Sequence, residues 1–223
     1  MLQNFEHQKI AQELFEDIQK IEIKNVPNLR RIRKKYSKIL AEASPEQVLE
    51  FVRDFIKKDI KDFRWIPFEI VQCHQTAIRA FGVKELEEFG TDINSWGAVD
   101  IFAGFLAGPA WRNKQVPDEL ILNWAHSTDF WWRRVALVCT VPLNRITMGG
   151  QGDVERTLKI CRELAADKND MVVKALSWAL RELIRHSREA VLNFLKENEN
   201  VLAGRVKREV MNKLTTGVKN PKR

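Results

Sequence analysis

Trp96 and Asp100 stand four residues apart in the segment SWGAVD, Ser95 to Asp100. If that segment is helical, one turn separates them and they share a face. Asp is a poor residue for a helix interior, and a carboxylate seeks water where an indole seeks burial. Stabilising a cation reconciles the two: the carboxylate acts through its charge and the indole through its π face. A second tryptophan, Trp178, lies in MVVKALSWALRELIR, Met171 to Arg185. At about 100° per residue, Val172, Ala175, Leu176, Ala179, Leu180, Leu183 and Ile184 form one apolar stripe. Lys174, Trp178, Arg181 and Arg185 lie opposite it, within an arc of roughly 60°. A tryptophan among cations marks a contact surface; packing against a neighbouring helix is the alternative. In FWWRRVALVCTV, Phe130 to Val141, Arg134 follows Trp131 by about one turn. It is either packed on aromatic rings or aimed at a phosphate. Arg133 is expected on the solvent side. Arg133, Arg134, Lys174, Arg181 and Arg185 are therefore candidate phosphate ligands.

Other chemistries find no footing. His7, His74, His126 and His186 are scattered, and no Cys/His cluster has metal-ligand spacing. GGQGD, Gly149 to Asp153, lacks the spacing and the preceding strand of a nucleotide-binding loop. No Ser or Cys nucleophile motif is present. Neither a metal nor another cofactor is expected.

The elements that must position these residues read as helices throughout. No stretch alternates apolar and polar residues for long. Breakers at Asn25-Val26-Pro27, Gly82, Gly90, Gly108-Pro109, Pro117, Ser127-Thr128, Gly149-Gly150, Asn169-Asp170 and Gly204 divide the chain into short segments. Ser44, Pro45 and Gln47 predict a capping box, and Ser127 or Thr128 is expected to cap the segment holding Arg134. Helices paired by short loops suggest an all-α fold, a right-handed α-solenoid of HEAT-like repeats with a concave basic face, formed as one domain over residues 1–223. A short disordered basic tail is expected from about residue 216. The steps from Trp96 to Arg134 and from Arg134 to Trp178 are 38 and 44 residues, close to the period of about 40–47 in such arrays. That spacing predicts that Trp96, Asp100, Arg134 and Trp178 converge on one groove.

The net charge is +7 and the pI about 9.4. Residues 167–223 carry 13 basic and 7 acidic side chains, and RRIRKKYSK, Arg30 to Lys38, holds six bases and no acid. Uneven positive charge of this kind fits a polyanion partner. No apolar run approaches the roughly 18 residues that cross a bilayer, and the charged N-terminal segment does not read as a signal peptide. Cys73, Cys139 and Cys161 fall in apolar helical segments and are expected to be buried, reduced thiols. The expectation is a cytoplasmic monomer.

SWGAVD, WWRRVAL and KALSWALRE together resemble, in order and spacing, the signature segments of the AlkD-like DNA alkylation repair glycosylases. The resemblance covers about residues 25–215. It implies a HEAT-like superhelix that grips alkylated duplex DNA and excises cationic purines such as N3-methyladenine and N7-methylguanine without flipping the base into a deep pocket. By the same resemblance Asp100 is the catalytic carboxylate, Trp96 and Trp178 contact the nucleotide, and Arg134 lies at the DNA. Ser95 and Gly97 depart from the family pattern and bear on the shape of the site. The alternatives are a non-catalytic binder of distorted or branched DNA and a protein-binding scaffold.

Overall fold

The computed structural model describes residues 6–58 and 63–221. Among them every regular element is helical and no strand occurs. The chain divides into two compact units, Met1–Leu106 and Ala107–Arg223.

The first unit contains α1 (His7–Lys20), α2 (Val26–Ile39), α3 (Pro45–Ile56), α4 (Trp65–Cys73), α5 (Val83–Gly90) and α6 (Trp96–Ile101). Its helices form two rows. One has α1 against α3; the other has α2 against α4 and α4 against α6; α1–α2 and α3–α4 contacts join the rows. The starts of these helices follow from the sequence. The Asn25 side chain accepts from the Asn28 N–H at 3.0 Å, and Pro27 lacks an N–H that would be unpaired there in any case. Ser44 and Gln47 form the reciprocal box, at 2.8 and 3.3 Å. Under α4, α5 and α6 lies an aromatic core: Phe68 meets Phe89 and Phe102 with ring centroids 6.4 and 5.9 Å apart, and Phe81 meets Phe89 at 5.6 Å. After α6 the helix widens into a π-helical turn, Phe102–Ala107.

The second unit contains α7 (Gly108–Arg112), α8 (Asp118–Ala125), α9 (Phe130–Cys139), α10 (Val141–Asn144), α11 (Val154–Glu163), α12 (Asp170–Leu183), α13 (Arg188–Glu197) and α14 (Gly204–Thr216). Here too two rows form, with α9, α12 and α14 side by side and α8 against α11; α8–α9, α11–α12 and α12–α13 contacts join them. Helix pairs stacked on helix pairs are the local arrangement of an α-solenoid. The cap of α9 differs from expectation. Asp129, not Ser127 or Thr128, occupies that position, its carboxylate accepting from the Trp131 N–H at 2.9 Å. An anion at this place also complements the positive end of the helix. Beyond α14, Lys219 pairs with Glu209 at 3.4 Å and its carbonyl accepts from Asn212 at 3.1 Å. Residues 222 and 223 of the expected tail lie outside the described residues.

The cysteines divide. Cys139 and Cys161 are fully buried in α9 and α11, and burial pushes both thiols well above the usual range. Cys73 corrects the expectation: it ends α4, where the helix reaches the surface, and is exposed. Its sulfur lies 3.5 Å from Arg33 Nη1. In native buffer a thiol reagent should therefore modify one cysteine rapidly, and all three only after denaturation; loss of the fast phase in Cys73→Ser checks the assignment.

Candidate functional site

Ser95 starts α6 by accepting from the Ala98 N–H at 3.4 Å. Trp96 is thereby the first residue of the helix, and Asp100 follows one turn later. Val99, Phe102, Ala103 and Leu106 are all fully buried, so the predicted stripe is the core stripe, and Trp96 and Asp100 stand at its edge. Trp96 is 64% exposed; Asp100 is half-buried and interacts within the fold. Gly97 fits without crowding, since a β-carbon there would meet nothing within 4 Å.

Trp96 and Asp100 share a cleft of about 330 Å³ with Trp65, Glu69, Arg30 and Val26. It lies between α6, α4 and the start of α2. Trp65 and Glu69 repeat on α4 the spacing of Trp96 and Asp100 on α6, an indole at the helix start and a carboxylate one turn on. Glu69 is only 5% exposed. Arg30 reaches one of its oxygens at 3.0 Å and Arg33 the other at 3.4 Å. The cleft thus presents two indoles and two carboxylates, each carboxylate engaged within the fold.

Trp178 lies on α12 in the second unit and is half-buried rather than fully presented. Its Nε1 donates to Glu182 Oε1 at 3.0 Å. The same oxygen accepts from Arg145 at 2.7 Å, and the Arg145 guanidinium sits over the indole 5.5 Å from its centroid. One carboxylate therefore fixes both the ring and the cation on its face. Arg145, Arg181, Glu182, Arg185 and Lys213 line a cleft of about 670 Å³. Four cations against one anion make it strongly positive. Arg181 donates to Ser177 at 3.2 Å, and desolvation lowers its pKa from the ordinary arginine value while leaving it charged.

The remaining predicted phosphate ligands have other engagements. Lys174 pairs with Asp170 at 2.7 Å, holding that exposed carboxyl below its usual range, and Arg205 reaches the same residue. Arg133, expected at the solvent, is half-buried: it pairs with Asp167 at 2.7 Å and donates to the carbonyls of Ser127 and Thr128 at 2.9 Å each, clamping the turn before α9. Arg134 is 6% exposed and donates to the Met171 carbonyl at 2.6 Å, joining α9 to α12. Helical periodicity cannot foresee this, because the partner lies on another helix.

A model of the family described as DNA alkylation repair enzyme matches residues 2–214. The chain belongs to that family. Curated proteins return no match. Membership in the alkylation repair family makes this an enzyme of DNA repair with a role in alkylation damage, and the cationic cleft of the second unit accords with DNA as its partner. For this family member the sequence reading missed Trp65, Glu69, Arg145 and Lys213. A signal for the first two was present: three tryptophans, at 65, 96 and 178, each have an acid four residues later.

Arg134→Ala should behave as a folding variant. Losing a buried guanidinium and orphaning the carbonyl it serves should lower stability by roughly 2–3 kcal/mol, read as a lower urea midpoint at unchanged m-value.

Proposed function

We propose that the protein is a DNA glycosylase that excises cationic alkylated purines, of the N3-methyladenine and N7-methylguanine class, from duplex DNA. The observation that carries this reading is the cleft of the first unit, whose lining brings Asp100 together with the two indoles Trp65 and Trp96. A purine alkylated at N3 or N7 is already positively charged, so it needs no protonation to leave. As the N-glycosidic bond breaks, its electron pair passes to the base, which departs neutral, and positive charge develops on the deoxyribose. Asp100 stabilises that charge through space and orients the water that attacks C1′, accepting the proton the water gives up. Trp96 stands at the surface, where its π face can meet the cationic nucleotide while the base remains stacked; such contacts contribute about 0.5–2 kcal/mol. In the second unit Trp178 is held by Glu182, and Arg181 and Arg185, joined by Arg145 and Lys213, meet phosphates. Arg133 and Arg134 act by holding the second unit together, and Lys174 pairs with Asp170 within α12. The protein works as a monomer on alkylated duplex.

Asp100→Asn preserves shape and removes the charge. With enzyme saturating over a duplex carrying one N7-methylguanine, single-turnover base release should fall roughly 10²-fold or more, while DNA affinity is retained or improves. A variant as fast as wild type would remove Asp100 from the chemistry. A wild-type protein that binds this duplex tightly and releases no base would instead be a non-catalytic reader of DNA structure.

A further inference from the structure

Six bases crowd α2 between Arg30 and Lys38, and the chemistry above uses none of them. Their environments differ. Lys35 is spent on Asp17 at 2.7 Å, and Arg33 is largely buried against Glu69. Arg30 is different. Its Nε and Nη2 both lie on Glu69 Oε1, at 3.3 and 3.0 Å, while its side chain stays 52% exposed. A nearly buried carboxylate thus grips one edge of the guanidinium. Among the described residues its Nη1 has no hydrogen-bond partner. The two arginines exceed the single carboxylate by one positive charge, and Arg30 lines the same cleft as Trp96 and Asp100. From Arg30 the exposed side chains of Lys34 and Lys38 continue along α2, each four residues on, about 6 Å apart along the axis. Among the described residues neither has an ion pair.

We propose that Arg30 is the phosphate anchor of the lesion nucleotide, and that Lys34 and Lys38 carry the same strand away from the cleft; this rests on the glycosylase reading of that cleft. The physical need is specific. A carboxylate aimed at a deoxyribose also faces the phosphates on either side of it and repels them. A fixed guanidinium at the mouth of the cleft offsets that repulsion and sets the distance between sugar and carboxylate. Glu69 supplies the fixation: it orients Arg30 before DNA arrives, so little side-chain entropy is lost on binding. Arginine suits the place because its planar fork offers one edge to Glu69 and another to phosphate.

The test uses the full chain and duplexes holding one tetrahydrofuran abasic-site analogue, with a neutral methylphosphonate placed in turn at each phosphate flanking it. Wild type should lose roughly ten-fold in affinity at one of these phosphates, the scale of one charge-assisted hydrogen bond. Arg30→Gln should lose about as much on the unmodified duplex and nothing further at that phosphate. If methylphosphonate there weakens Arg30→Gln as much as wild type, the assignment is overturned. Arg33 still serves Glu69 in this variant; should it nonetheless fail to fold, Arg30→Lys keeps the ion pair and should show a reduced methylphosphonate effect, and an undiminished effect overturns the proposal. On undamaged duplex, Lys34→Gln with Lys38→Gln should make the salt slope shallower by about two units; an unchanged slope removes the ridge from the interface. All these measurements read binding. Absence of base release by wild type would end the glycosylase reading and leave these phosphate contacts to be judged on their own.

Discussion

A carboxylate at 5% exposure has to be paired, and at Glu69 the pairing organises the whole first unit. Two guanidinium groups from α2 converge on it. Removing one partner of such a buried pair typically costs about 3–5 kcal/mol, so the register of α2 against α4 is not free to slide. Helix α4 also packs against α6, and its Phe68 meets Phe102 in the turn that follows α6. The ion cluster and the aromatic contact together set where Trp65 and Trp96 open relative to each other. The cleft is the gap that remains when both constraints are satisfied.

The second unit solves a related problem with a different balance. Its cationic cleft gathers Arg145, Arg181, Arg185 and Lys213 around one anion. Unscreened, such a cluster would repel itself and leave Trp178 mobile among charges. Glu182 restrains it by accepting from both the indole and Arg145. Buried Glu209 does the same one layer deeper, accepting from Ser177, which in turn accepts from Arg181. Each acid keeps a base in one orientation while the surplus of positive charge stays toward solvent. The arginines of α9 follow the opposite course. Arg133 and Arg134 turn inward and serve carbonyls and Asp167, so they stabilise the scaffold that presents the other cations.

Helix starts, the apolar stripes and the pairing of Trp96 with Asp100 were legible in the sequence, because they depend on neighbours within one or two turns. Ser44, Asn25 and Asn169 cap where their side chains allow, and 3.6-residue periodicity alone puts Val99 and Phe102 inside. Where several local candidates competed, the outcome was not legible: Asp129, not Ser127 or Thr128, caps α9, where charge adds to hydrogen bonding. Charge composition likewise pointed to a polyanion, since it needs no geometry.

Tertiary structure alone decided which charged groups remain available. RRIRKKYSK reads as six equivalent bases, yet burial of Glu69 from α4 claims Arg33 outright and Arg30 by one edge, and Asp17 claims Lys35. Arg134 and Arg181 are equally basic in sequence, but one is enclosed beside the Met171 carbonyl and the other lines an open cleft. Cys73 and Cys139 both end apolar helices, yet packing leaves the first exposed and buries the second. Each of these outcomes depends on a partner thirty or more residues away, or on a helix packed alongside, and the energy of a charge is set by that partner and by the water it loses. Local sequence specifies which groups can act; long-range packing determines which of them are left facing the solvent.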